Sequence, residues 1–263
     1  MVSAREELIS SLRSFNADPV IKAYQRDWMD KTPEQILAGS ADRTIFRAFR
    51  IVRQVKGESP SERFRKWRWH EDPGQLLVRL ESIRNQEEFD HLARTVGESL
   101  VEDWGERNEY GEPTGMNIGV AMKITNLAFK HLSFSPHCRN PLGLIEWLHL
   151  PWDSRTLGPL REIWTGSKPI PRSPGQGFVD SLSLYYELHS FITEIARQSG
   201  VYRIIYEFYA WDASRGSLRR NSPAIRLGKG RPEDTSNRKS HQRGLIMVDS
   251  DEKARQPNYE HFF

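Results

Sequence analysis

Two residues of this 263-residue chain join chemical reactivity to an unusual setting: Lys123 inside the apolar run GMNIGVAMKITNLAFK (115–130), and Asp153, thirty residues later, in LHLPWDSRTLGPL (148–160). An amine held among Ile118, Val120, Met122 and Ile124 loses hydration, which disfavours its charged form, and a neutral amine is a nucleophile. The same run also suits a lysine that lays its stem along apolar surface and keeps its head in water. Asp153 follows a proline and precedes Ser154, Arg155 and Thr156, the position of a helix N-cap. Capping alone is the plainer reading of such an aspartate. Beside an amine, the same carboxylate can also stabilise developing positive charge or accept a proton.

Helical periodicity dominates the chain before its last fifty or so residues, with neither alternating strand runs nor Asn-Gly hairpins, so the expected fold class is all-α. The spacing predicts helices over 3–15, 17–30, 33–38, 42–55, 60–67, 74–82, 86–104, 116–132, 140–147, 153–163, 177–199 and 201–211. Thr32-Pro33-Glu34-Gln35 carries a cap and a first-turn proline, and Gly200 breaks a long amphipathic helix. The Pro/Gly loops 105–115 and 168–177 separate helical blocks, which suggests two helical lobes around a cleft within a domain spanning 1–211.

Residues 212–263 are rich in Ser, Gly, Asn and Pro, and eleven Lys and Arg there oppose seven Asp and Glu, although the whole chain carries only +3. This segment is expected to be irregular, serving either as a solvated tail or as an arm on phosphate. The single Cys138 leaves no disulfide framework and points to a reducing compartment, here read as cytoplasmic and nucleoid-associated. No signal core or apolar run of membrane length is present. Nucleotide-cofactor motifs are absent, and His131, His137 and Cys138 lack zinc spacing, so neither a cofactor nor a metal is expected.

Three segments together resemble the helix-hairpin-helix DNA glycosylases, in particular the archaeal 8-oxoguanine branch and related bacterial proteins of that fold. Val120-Ala121-Met122-Lys123-Ile124 is similar to the segment presenting the family's lysine, and Leu150-Pro151-Trp152-Asp153-Ser154-Arg155 to its hydrophobic-Pro-hydrophobic-Asp-x-Arg element. Gln198-Ser199-Gly200-Val201 then leads to Arg203, Glu207 and Trp211, which share one helix face at i,i+4 spacing. The hairpin, placed at about 113–123, departs from the family's usual Gly-x-Gly arrangement. Glu207 and Arg203 stand where the archaeal branch has aspartate and lysine, which leaves open a target other than 8-oxoguanine.

The resemblance implies a monomer that flips a modified base out of double-stranded DNA and excises it, with possible strand cleavage at the abasic site. Lys123 would attack C1′ and Asp153 would stabilise the sugar cation. Trp211 would stack on the base, with Glu207 and Arg203 at its edge and Gln25, Trp28 and Trp67 nearby. Gly115, Asn117 and Gly119 would offer backbone amides to phosphate, and Arg155 would contact DNA. The cluster RFRKWRW (63–69), including Phe64, Arg65, Trp67, Arg68 and Trp69, suits a DNA-facing surface, or else a helix end with inward aromatics and solvated arginines. Two other readings stand beside this one: a glycosylase for hypermodified, for instance glucosylated, bases of viral DNA in antiphage defence, and a non-catalytic helical DNA-binding protein in which Lys123 contacts phosphate.

Overall fold

A computed structural model describes residues 2–40, 53–68 and 73–215, and within them the chain is mostly helical with no strand, only two isolated bridges. In chain order the helices are α1 (Ala4–Ser14), α2 (Asp18–Asp27), α3 (Pro33–Ser40), α4 (Pro60–Arg68), α5 (Pro73–Glu81), α6 (Gln86–Trp104), α7 (Ile118–Ser133), α8 (Pro141–Ile145), α9 (Ser154–Leu157), α10 (Leu182–Ser199) and α11 (Arg203–Arg215). The all-α expectation therefore holds for these residues. None of these helices is long and apolar enough to cross a membrane.

Local chemistry sets most helix ends. Ser3 and Glu6 form a reciprocal capping box on α1, and the side chains of Asn85, Asn117 and Ser181 accept first-turn N–H groups of α6, α7 and α10. Gly200 ends α10 in the left-handed region at φ +70°, where a β-carbon is strained.

Several boundaries differ from the sequence expectation. Residues 53–55 are not helical, while 42–52 lie outside the described residues. The helix expected over 153–163 is a single α turn followed by a 3-10 turn, Gly158–Leu160, because Pro159 has no N–H to continue the ladder. α10 begins at Leu182 rather than 177, behind its Ser181 cap. α11 runs past Trp211 to Arg215, and the rest of the basic C-terminal segment lies outside the described residues.

Buried apolar side chains form one contiguous cluster from Leu8 to Ala210, rather than a separate core for each of two lobes. α7 runs through it, buried at every position from Gly119 to Ser133. α6, α3, α5, α8 and α10 all pack against α7. Phe89 of α6 meets Phe129 of α7 edge to face at 5.8 Å, a geometry that adds about 1 kcal/mol beyond burial. At the start of α7, a β-carbon on Gly119 would lie 1.7 Å from the Val179 carbonyl oxygen, so only glycine lets the 176–179 turn rest on the helix. Any charge carried by α7 is therefore held in the protein's interior.

Candidate active site

Lys123 lies one and a half turns into α7 and is only 6% exposed, with its Nζ 3.5 Å from Oδ2 of Asp153. Burial pushes its amine below the ordinary lysine range, and the Asp153 carboxylate opposes that shift without cancelling it. The lysine is not a snorkelling surface residue.

Asp153 divides its two oxygens between tasks. Oδ1 accepts N–H groups of Arg155 (2.8 Å) and Thr156 (3.1 Å) to cap α9, while Thr156 Oγ1 accepts the Asp153 N–H in return. Oδ2 faces Lys123. The cap thus fixes the carboxylate, and the second oxygen remains available to an amine or to positive charge in front of it.

α11 adds Glu207, 3% exposed, whose Oε1 accepts a bond from Lys130 Nζ at 2.5 Å while its buried Oε2 has no partner among the described residues. Burial raises the Glu207 carboxyl, with Lys130 pulling the other way, and the charges of Asp153 and Lys123 also act on it. Lys123, Asp153, Lys130 and Glu207 therefore form one buried group of two amines and two carboxyl groups. Lys130 escaped the sequence reading. It stands seven residues after Lys123 in the same apolar helix, nearly two full turns, and a second lysine on that face was the available signal.

Trp211, on the same helix, is half-buried and carries the Arg155 guanidinium over its ring at 3.9 Å, so it is indeed drawn toward the Asp153 turn. Arg155 packs on that ring and is itself half-buried. Arg203 also departs from its expected place. Its Nε donates to Leu148 O (2.8 Å) and its two Nη groups to Thr193 Oγ1, Gln86 Oε1 and Trp147 O, which leaves no free fork for a base edge. The i,i+4 spacing aligned Arg203 with Glu207 on the helix, but a guanidinium follows its acceptors, and these lie on the 147–148 carbonyls.

The expected hairpin residues lie just before and at the start of α7. Asn117 is the cap of α7, its Oδ1 accepting Val120 N–H at 3.0 Å, and Gly119 is buried under Val179. Gly115 is half-buried at φ +76°. In α4, Arg63 turns inward to Asp103 (3.0 Å) and Phe64 is core, while Arg65 is half-buried. The side chains of Trp67 and Arg68, and Trp69 as a whole, lie outside the described residues. Gln25 is half-buried in α2, and Trp28 is core, packed on the His131 ring at 5.0 Å.

A second polar constellation had no sequence signature. Asn126 of α7 donates to Tyr185 Oη (2.6 Å), which lies 2.7 Å from His149 Nδ1, and His149 Nε2 lies 2.8 Å from Asp90 Oδ1. Burial takes the His149 imidazole down to about 4, and His189, stacked on it at 4.4 Å, is also held well below the usual range by burial. Neutral His149 accepts the Tyr185 hydroxyl and donates to the Asp90 carboxylate. Among the described residues no group of three His, Cys, Asp or Glu side chains could hold a metal ion.

Comparison with protein-family models, with curated proteins and with solved structures finds no match for this chain. Functional assignment consequently rests on the geometry just described.

Proposed function

We propose that the protein is a DNA glycosylase with a helix-hairpin-helix glycosylase fold, in which Lys123 and Asp153 excise a modified base from double-stranded DNA. The observation that carries this reading is a nearly water-free amine, lowered by burial, 3.5 Å from a carboxylate oxygen that its own helix cap leaves unused. A lysine and an aspartate thirty residues apart, brought together in the order the sequence resemblance implies, add support.

In this mechanism the Lys123 amine, once neutral, attacks C1′ of a flipped nucleotide. The N-glycosidic bond breaks, its electron pair leaves with the base, and the base takes up a proton from solvent. Asp153 Oδ2 stabilises the positive charge on the sugar and accepts the proton that the new C1′–nitrogen bond releases. Ring opening gives a Schiff base, from which β-elimination cuts the strand, so lyase activity accompanies base release. Trp211 and Glu207 line the base site, with Glu207 Oε2, which has no partner among the described residues, as acceptor for a base N–H.

Borohydride trapping tests this on duplexes carrying 8-oxoguanine, an abasic site, or hydroxymethylated or glucosylated cytosine. A covalent adduct that Lys123→Gln abolishes is the expected result and identifies the target base. Affinity for DNA without adduct or base release on any of these substrates would refute the reading in favour of a binding protein.

A further inference from the structure

The segment that delivers Asp153 to Lys123 is held by its neighbours at every step. Arg203 takes the Trp147 and Leu148 carbonyls at 2.5 and 2.8 Å, His149 is fixed through its ring, and Asn126 donates to Leu150 O at 3.2 Å. Thr156 Oγ1 lies 3.3 Å from Pro151 O, and Trp152 Nε1 donates to His189 Nε2 at 3.0 Å. Six consecutive residues are thus restrained before Asp153 is reached. The restraining side chains come from α6, α7, α9, α10 and α11, and one of them, Asn126, sits on the same helix as Lys123 only three residues further on.

A segment without regular secondary structure has no ladder to hold its backbone. Its carbonyls must find other donors, and here those donors are buried and directional. Asn126 spends its amide group on both Tyr185 Oη and Leu150 O, so a single side chain of the Lys123 helix spans from the network to the Asp153 segment. Arg203 adds a rigid fork that no lysine reproduces. A tenfold or larger rate effect follows from small misplacement of reacting groups, which makes such a frame functional as well as structural.

We propose that Arg203, Tyr185 and Asn126 are positioning residues that set the separation of Asp153 and Lys123 by clamping the 147–152 segment. The proposal rests on the glycosylase reading only for its kinetic consequence. The frame acts at a distance from the reacting atoms. Loosening it lets Asp153 drift from the Lys123 amine, which then loses the carboxylate that favours its charged form.

The test uses Tyr185→Phe, which removes one hydroxyl and keeps the ring, and Arg203→Lys, which keeps the charge and loses the fork. Two quantities are read on the full chain: the pH midpoint of the Lys123 side-chain ¹³Cε resonance, assigned by its loss in Lys123→Arg, and the rate of borohydride trapping on the best substrate. The expected result in both variants is a Lys123 midpoint lowered further from the ordinary lysine value as the Asp153 carboxylate withdraws, with trapping slowed roughly ten- to a hundred-fold and DNA affinity retained. Lower melting temperature with an unchanged or raised Lys123 midpoint would overturn the proposal, because a purely structural network does not move Asp153 from the amine. If Arg203→Lys fails to fold, Tyr185→Phe decides. If the wild type traps no DNA, the glycosylase reading fails while the resonance still decides the positioning claim.

Discussion

Replacing Asp153 by asparagine and by alanine separates the two tasks of its carboxylate. Asparagine retains an oxygen able to accept the Arg155 and Thr156 N–H groups, now at 2.8 and 3.1 Å, and ranks with aspartate as an N-cap. Alanine removes that acceptor as well. Both variants remove the negative charge facing Lys123 at 3.5 Å, so the loss of the ion pair is common to them and cancels in their difference. What remains is the cap, which is worth about 1 kcal/mol and at most about 2 kcal/mol. Asp153→Ala is therefore expected to unfold about 1 kcal/mol more readily than Asp153→Asn in urea, or roughly 2–4 °C lower in a thermal scan of a chain this size. Base release is expected to vanish in both, because the neutral amide cannot stabilise the sugar cation. Equal stability of the two variants would refute the capping argument, and full activity of Asp153→Asn would refute the catalytic one.

Three further perturbations follow from the same geometry. Lys130→Met strands Glu207 in the interior and is expected to destabilise by about 3–5 kcal/mol, whereas Lys130→Met with Glu207→Leu recovers much of that; denaturant titration of the single and double variants checks it, and a double variant no better than the single would contradict the buried-pair account. His149 binds a proton near pH 6.5 when unfolded but only at about 4 when folded, so the unfolded chain is favoured as pH falls through that window; roughly 3 kcal/mol of stability present above pH 6.5 is expected to be gone near pH 4, and a flat urea midpoint across that range would show that the ring is not held neutral. Gly119→Ala is expected to cost at least about 1–3 kcal/mol because its β-carbon meets the Val179 carbonyl, while Gly158→Ala, with open space around it, is expected to be neutral or slightly stabilising; similar melting temperatures for the two would refute the close approach.

How far the site could be read in advance depends on the reach of each interaction. The caps of α1, α6 and α7 and the Gly200 break are encoded by residues within three or four positions of the helix end, and the Gly200 break falls where the sequence expects it. Arg203 shows the opposite case. Helical spacing placed it beside Glu207, yet its donors went to carbonyls more than fifty residues earlier. The buried chain from Asp90 to Asn126 likewise joins four segments whose residues carry no mutual spacing, so only their packing could bring it to light.

Sequence by itself determined the all-helical class of the described residues and most of their helix boundaries, because apolar periodicity and capping are short-range codes that a chain displays directly. Tertiary structure decided that α7 is buried on all sides, that Asp153 meets Lys123 with the oxygen its cap does not need, and that Lys130 rather than Arg203 partners Glu207. Those outcomes depend on dehydration and on donors and acceptors far apart in the chain. Neither exists until the helices have packed.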